Sequence, residues 1–470
     1  MQVSPSRTKL LQDRRGFLNT LTSCQQDCLK THQVRLVSFS IEIPTIDPLA
    51  VLQRWHDPKQ HFFYWEKPQE SLAMAAIAPE LLLQVNTQRF TKTQQFLESS
   101  LDQAVLQGQL DCPFAGPHFF CGFTFFEAKH HHPPLFPSGL VFLPRWQLVS
   151  YQGQSLLVAN FALEATSQLD RLVDALMQKL EQLQTHAQGF HIQPTQETIP
   201  FQCCPHTSSI EQSIQKTLTL IQTGELQKLV LAHPLDITTP APLALGQTLH
   251  RLRQRYPECC VFAIGNGEGQ IFWGASPERL VSLRDRHLVT DVLAGSAPRG
   301  HSIIEDISLG KKLLHNQKDG HEHQLVLEFI CNQLRTLGMR PQTSSPAHLM
   351  QLANIQHLRT LVSATAPCHL QILDILAALH PTPAVAGTHR DRACDYIRQY
   401  EAFDRHLYAA PLGWINHRGD GEFAVGIRSA LSDGCHTRLY AGAGIVAGSE
   451  PQKELAEVEL KLRTLLEALV

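Results

Sequence analysis

Two apolar runs, residues 260–264 and 270–274, are separated only by Gly265-Asn-Gly-Glu-Gly269. So short a spacer reverses the chain, and the runs pair as an antiparallel hairpin. The same glycines resemble a dinucleotide loop, but such a loop must open a helix, and Gln270-Ile-Phe-Trp273 reads as a strand. Further strand patterns stand at 34–43, 62–65, 119–126, 146–151, 228–237, 288–293, 422–430 and 437–446. Helical periodicity marks 166–190, 208–223, 243–255, a long segment at 306–337 weakened at Gly310 and Gly320, and the C-terminal segment. Hairpins beside segregated helices predict an α+β fold, a single large domain of mostly antiparallel sheets with helices packed outside. Residues 1–30 read as a lead-in, 31–205 as an N-terminal half and 206–470 as a second half. The polar, proline-containing stretch 189–205 is the expected linker between the halves.

Composition removes several function classes. Forty Lys and Arg against 43 Asp and Glu leave a net charge of -3, which predicts no nucleic-acid partner. No apolar run reaches the roughly 18 residues that span a bilayer, so no membrane partner is expected. The first 30 residues lack the apolar core of a secretory signal, although Arg7, Arg14 and Arg15 among Ser and Thr are compatible with an organelle leader. Twelve cysteines without a CxxC motif predict a reducing, cytoplasmic setting. Cys24, Cys28 and His32 recur every fourth residue, but a structural zinc needs a fourth ligand, and none is nearby. His130, His131 and His132 precede two prolines and read as a surface loop.

Candidate chemistry collects in the second half. Glu454, Glu457 and Lys461 share one face of the C-terminal helix, which Ser449 and Gln452 are expected to open as a capping box. Asp319 and Glu322 are likewise three apart. Each acidic pair alone reads as solvated helix surface; two facing helices could instead hold Mg²⁺, which takes a few carboxylates plus water. Arg428, on an expected strand face with Ala424 and Gly426, has room to bind a carboxylate. Lys228 shares a face with Val230 and Ala232; it either reaches water from the strand start or, desolvated, acts as a base. Glu278 sits at a strand junction and is a candidate acid. Ala441-Gly-Ala-Gly444 lacks the Lys-Ser or Lys-Thr of a P-loop and reads either as a tight strand bend or as an anion site of open backbone N–H groups.

Taken together, Lys228-Leu-Val-Leu-Ala, Gly274-Ala-Ser-Pro-Glu-Arg-Leu, Leu293-Ala-Gly-Ser-Ala-Pro-Arg-Gly, Asp319-Gly-His-Glu-His, Gln356-His-Leu, His380-Pro-Thr-Pro-Ala-Val-Ala-Gly, Gly421-Glu-Phe-Ala-Val-Gly-Ile-Arg-Ser-Ala and Tyr440-Ala-Gly-Ala-Gly-Ile-Val resemble the chorismate-utilising enzymes. These include isochorismate, salicylate, anthranilate and aminodeoxychorismate synthases. The resemblance covers roughly 208–465, with looser matches at Cys121-Gly-Phe-Thr-Phe and Leu143-Pro-Arg. It implies the anthranilate-synthase-like chorismate-binding fold, chorismate as substrate, a monomer, and 206–470 as the catalytic half. It implies Mg²⁺ on Glu322 and Glu457, with Asp319 and Glu454 holding its waters. It assigns Arg428, Gly442 and Lys461 to the enolpyruvyl carboxylate, Gly295 to the ring-carboxylate side, and His357, Ala384 and Tyr408 to the substrate wall.

Within that family the resemblance implies Lys228 as base and Glu278 as acid. Amine-forming members usually place Gln where Lys228 stands. Lys favours water as nucleophile, and Ala384 stands where salicylate and anthranilate types tend to have Thr. The expected activity is therefore isochorismate synthase, with salicylate synthase the alternative, and a catalytically silent scaffold the alternative from another class. The long N-terminal half resembles members serving menaquinone or phylloquinone biosynthesis. His233 and Ala410 depart from the commoner Arg and Gly.

Overall fold

The computed structural model describes residues 14–127, 135–185, 192, 200–204, 210–344 and 346–469. Arg7, the triple His130–His132 and most of 189–205 lie outside the described residues.

Two strands, Leu72–Val85 and Gly139–Tyr151, are long enough to serve two and three ladders respectively. They pair along their length, with the register shifting between Pro79 and Leu81. A six-stranded leaf grows from Leu72–Val85: His61–Lys67, Cys260–Asn266, Gln270–Ser276, Ser429–Asp433, His436–Val446 and Lys228–Thr238. A second grows from Gly139–Tyr151: His118–Phe123, Pro411–Asn416, Gly421–Val425, Arg279–Arg284, His287–Pro298 and Ile355–Thr365. All these pairings are antiparallel. A parallel one joins Arg35–Ile43 to Val105–Gly108.

Helices cover the outside. Pro451–Leu469 packs on His436–Val446, and Gln317–Thr336 on His287–Pro298 and Ile355–Thr365. Strands such as His118–Phe123 are therefore buried throughout and carry an unbroken apolar run, with no alternation for solvent. The halves on either side of residue 205 share both leaves, because His61–Lys67 pairs with Cys260–Asn266 and His118–Phe123 with Pro411–Asn416.

Two of the chain's passages between leaves are made within three residues. Ser276 ends a strand of the first leaf and Arg279 begins one of the second. Val425 ends a strand of the second and Ser429 begins one of the first. The crossings are stitched together by Val425 N–H donating to Glu278 O (3.0 Å) and Ala275 N–H to Arg428 O (3.0 Å).

Several local expectations need correction. The strand expected at 422–430 is two strands, broken by Arg428, whose φ of 50° is left-handed. Arg428 therefore lies on no shared strand face with Ala424. The long helix is two, Ile303–His315 and Gln317–Thr336. It breaks at neither glycine but at Asn316, whose Oδ1 accepts from the N–H groups of Lys318 (2.9 Å) and Asp319 (3.2 Å), a side-chain cap that restarts the helix. Ser449 makes no capping box; its hydroxyl accepts from Val446 N–H at 3.2 Å, and the helix begins at Pro451. Cys24 and Cys28 pack in the core, and Cys28 Sγ lies 3.4 Å from Leu163 O. The eleven cysteines with described side chains are free thiols. Gly265-Asn-Gly-Glu-Gly269 is the expected turn, with Asn266 Oδ1 accepting from Glu268 N–H (2.9 Å) and Gln270 N–H (3.2 Å). No helix among the described residues is long and apolar enough to cross a membrane.

Candidate active site

Lys228 opens its strand, and the loop 382–388 closes the strand's free edge. Thr388 Oγ1 accepts from Lys228 N–H at 3.0 Å, Thr388 N–H donates to Lys228 O at 3.0 Å, and Val230 N–H donates to Ala386 O at 2.9 Å. The backbone is thus fixed on both sides, and the side chain has one way to go. It runs inward at 1% exposure, and its Nζ meets Glu322 Oε1 at 2.8 Å. The reading in which Lys228 reaches water from the strand start is excluded.

The opposite strand explains its glycines here. Gly444 lies across from Val230, and a Cβ on it would fall 2.5 Å from Glu322 Oε1 and 2.9 Å from Lys228 Cε. A Cβ on Gly442 would fall 2.9 Å from the Tyr408 hydroxyl. The strand His436–Val446 passes straight through both glycines, so the tight bend is absent. Their missing side chains clear space for their neighbours.

These elements enclose a pocket of roughly 700 Å³, counting its mouth, a size suited to a small ligand. Glu278, Gly295, Glu322, His357, Ala384, Tyr408, Arg428, Gly442, Glu457 and Lys461 all line it. Asp319 and Glu454 lie beside Glu457 in the adjoining cleft. Sequence reasoning missed Ser296, whose hydroxyl meets His357 Nδ1 at 3.0 Å; its only signal was its place after Gly295. It also missed Arg405. That buried guanidinium donates to Val230 O (2.9 Å) and Val385 O (2.8 Å), and pairs with Glu401. It thereby ties the Lys228 strand to the Ala384 loop. Four residues apart on one turn, Glu401 and Arg405 carried no pattern that pointed to the pocket.

The electrostatics divide the carboxylates. Burial, reinforced by Asp291 and opposed by Lys228 and Lys461, pushes Glu278 up to about 8; it is a protonated acid at neutral pH. Burial also works to raise Glu457, but the Lys461 ammonium at 2.6 Å wins and holds it at about 2. Asp319 rises to about 6 through burial and the nearby carboxylates Glu322, Glu457 and Glu454, with Lys318 opposing. Burial, then Arg428 and Lys461, holds His357 down at about 3. His357 is therefore neutral. Its Nε2 accepts from Arg428 at 3.2 Å, which puts the proton on Nδ1, 3.2 Å from Gly295 O. Lys461 Nζ also donates to Gly442 O at 2.8 Å, and Lys318 Nζ to Glu454 at 2.6 Å.

No three His, Cys, Asp or Glu side chains among the described residues converge as a ready cage for a metal. The donor set nevertheless fits a hard divalent cation. Glu322 and Glu457 bring oxygen to one pocket, Mg²⁺ needs no more than one or two protein carboxylates, and the raised Asp319 marks a surplus of negative charge that a cation relieves.

The description "Chorismate binding enzyme" matches residues 21–470. The salicylate biosynthesis isochorismate synthase of Pseudomonas aeruginosa is 35% identical, over 92% of this chain and 90% of its own. The solved structure of MenF, the menaquinone-specific isochorismate synthase of Escherichia coli, superposes with a TM-score of 0.75 at 26% identity, covering 95% of this chain and 99% of that one. Anthranilate synthase component I of Streptococcus pneumoniae shares the fold, with a TM-score of 0.69 at 19% identity, over 84% of this chain and 92% of its own. A family match over residues 21–470, nearly the whole sequence, places this chain among the chorismate-binding enzymes.

Proposed function

We propose that this protein is an isochorismate synthase, a Mg²⁺-dependent isomerase that adds water at C2 of chorismate while the C4 hydroxyl leaves. The observation that carries the reading is the placing of two groups at one pocket: the buried amine of Lys228, which meets the pocket-lining Glu322 at 2.8 Å and acts electrostatically on Glu278, and the Glu278 carboxyl itself, which lines the pocket and stays protonated at neutral pH. The reaction needs one base and one acid at once. Lys228 takes a proton from the attacking water, Glu278 gives one to the departing oxygen, and the electron pairs of the ring shift between the two carbons. Arg428, held by His357, binds the enolpyruvyl carboxylate, together with Lys461 and the backbone at Gly442. Gly295, Ala384 and Tyr408 wall the ring. Glu322 and Glu457 would hold Mg²⁺, with Asp319 and Glu454 on its waters, and bound there the ion neutralises the ring carboxylate. Two isochorismate synthases that match nearly the whole chain support the activity. The menaquinone-specific one supports a place in quinone biosynthesis.

The deciding experiment incubates the protein with chorismate and Mg²⁺ and identifies the products. Isochorismate alone is expected. Salicylate plus pyruvate would make it a salicylate synthase, anthranilate formed with ammonia would remove the role of Lys228, and no turnover by folded protein would leave a scaffold. Restoration of growth to a menaquinone-requiring strain lacking its isochorismate synthase checks the pathway.

A further inference from the structure

Glu278 is a wall between two cavities. Pro277 and Glu278 line the substrate pocket, and the same two residues line a second cavity on the other side. That cavity measures about 870 Å³ counting its mouth. Its interior is charged: Asp291 is held by Arg359 at 3.0 Å, and Glu422 by Lys67 at 2.7 Å. Exposed Gln69 and Gln351 stand at its rim. The Glu278 side chain is buried, and burial and the charges of Lys228, Asp291 and Lys461, not a hydrogen-bond donor, are what act on its carboxyl among the described residues. The backbone of the residue is fixed, with its N–H donating to Ser276 Oγ at 3.2 Å and its carbonyl accepting from Val425 N–H at 3.0 Å. The carboxyl is therefore anchored at its base and unengaged at its tip.

The proposed reaction leaves a proton problem, and this inference rests on that reaction. Each turnover ends with Lys228 as ammonium and Glu278 as carboxylate. The ammonium must lose a proton and the carboxylate must gain one before the next turnover. We propose that Glu278 gives its proton into the substrate pocket and is reloaded from water through the second cavity behind it. In that step the Glu278 carboxylate forms an O–H bond with a proton from hydronium or a buffer acid in the second cavity, whose own O–H or N–H bond breaks to leave water or the conjugate base. Lys228 releases its proton independently on the substrate side. The two sides of Glu278 differ in charge. Lys461 and Arg428 line the substrate pocket with Glu322 and Glu457, and Lys228 stands against Glu322; Glu70, Glu258, Asp291 and Glu422, with Lys67, Arg279 and Arg359, line the second cavity. Asp291 favours a protonated Glu278 whereas Lys228 and Lys461 favour the charged form, so an incoming proton is better received from the second cavity.

The test narrows the second cavity without touching the substrate pocket. Gln69→Trp with Gln351→Trp acts at the rim, and Ala424→Met acts from the wall. The expected result is a kcat at least fivefold lower in one or more of these variants, with KM for chorismate unchanged, and recovery of kcat as a small acid such as imidazolium replaces a bulky buffer at the same pH. Wild-type kcat should be indifferent to that exchange. If every variant keeps kcat within twofold of wild type, or if the loss is not restored by the small acid, the second cavity is not the route. Wild-type turnover to isochorismate is the control; its absence would defeat the assigned reaction rather than the proton path.

Discussion

Lys228 opens a strand of one leaf and Glu278 sits in the crossing between leaves, and Glu278 is useful only in the protonated state that its surroundings impose. Replacing Lys228 by Gln shortens the side chain by one atom, keeps it polar and removes the base. Turnover should fall by ~10²–10⁴-fold, the usual worth of a general base, with chorismate binding by calorimetry largely retained; unchanged turnover would refute the role. Glu278 yields a pH prediction. Its acid form is the working one, so kcat should decline as pH rises through about 8, read from a pH–rate profile. The same shift bears on stability. A carboxyl raised from its ordinary value to about 8 binds its proton in the native chain where the unfolded chain has already lost it, so it lowers stability progressively from about pH 4.5 to 8. Glu278→Gln should therefore raise Tm, more at pH 8 than at pH 5. Most of these residues were legible in the sequence because their motifs are contiguous. Ser296 and Arg405 were not, because their roles arise only when separate strands are brought together.

At the scale of elements, glycines and caps decide where the chemistry sits. Gly444→Ala needs no unusual backbone, yet its methyl would meet Glu322 and Lys228. We expect the fold to survive by circular dichroism and kcat to drop at least ~10-fold, the cost of a small misplacement of reacting groups. Asn316 starts the helix that carries Asp319 and Glu322 in its first two turns. Asn316→Ala should cost about 1 kcal/mol in urea unfolding, as lost caps do, and raise the Mg²⁺ concentration needed for half-maximal activity. The periodicity of 306–337 revealed the helical residues but not the break, because residues 315–324 carry no apolar side chain whose spacing could register it. The strand pattern at 422–430 failed for the opposite reason: Arg428 is polar and buried, and its left-handed backbone leaves no trace in apolar alternation.

For the whole molecule, metal and topology supply the checks. EDTA should abolish turnover and added Mg²⁺ restore it; activity that survives chelation would remove the role given to Glu322 and Glu457. Residues 206–470 expressed alone should not yield a folded monomer by size-exclusion chromatography, because Cys260–Asn266 and Pro411–Asn416 would lose the strands His61–Lys67 and His118–Phe123 and expose unpaired edges. The α+β class was readable from short turns between apolar runs. The partnership between distant strands was not, since no local signal states which edge a strand will meet.

The stitched crossings at Ser276–Arg279 and Val425–Ser429 have one more consequence. Each crossing is bonded through its backbone to a strand end at the other, Glu278 to Val425 and Arg428 to Ala275. The spacing between the acid and the guanidinium is thus a property of the main chain, and side-chain substitutions around the ring leave it in place.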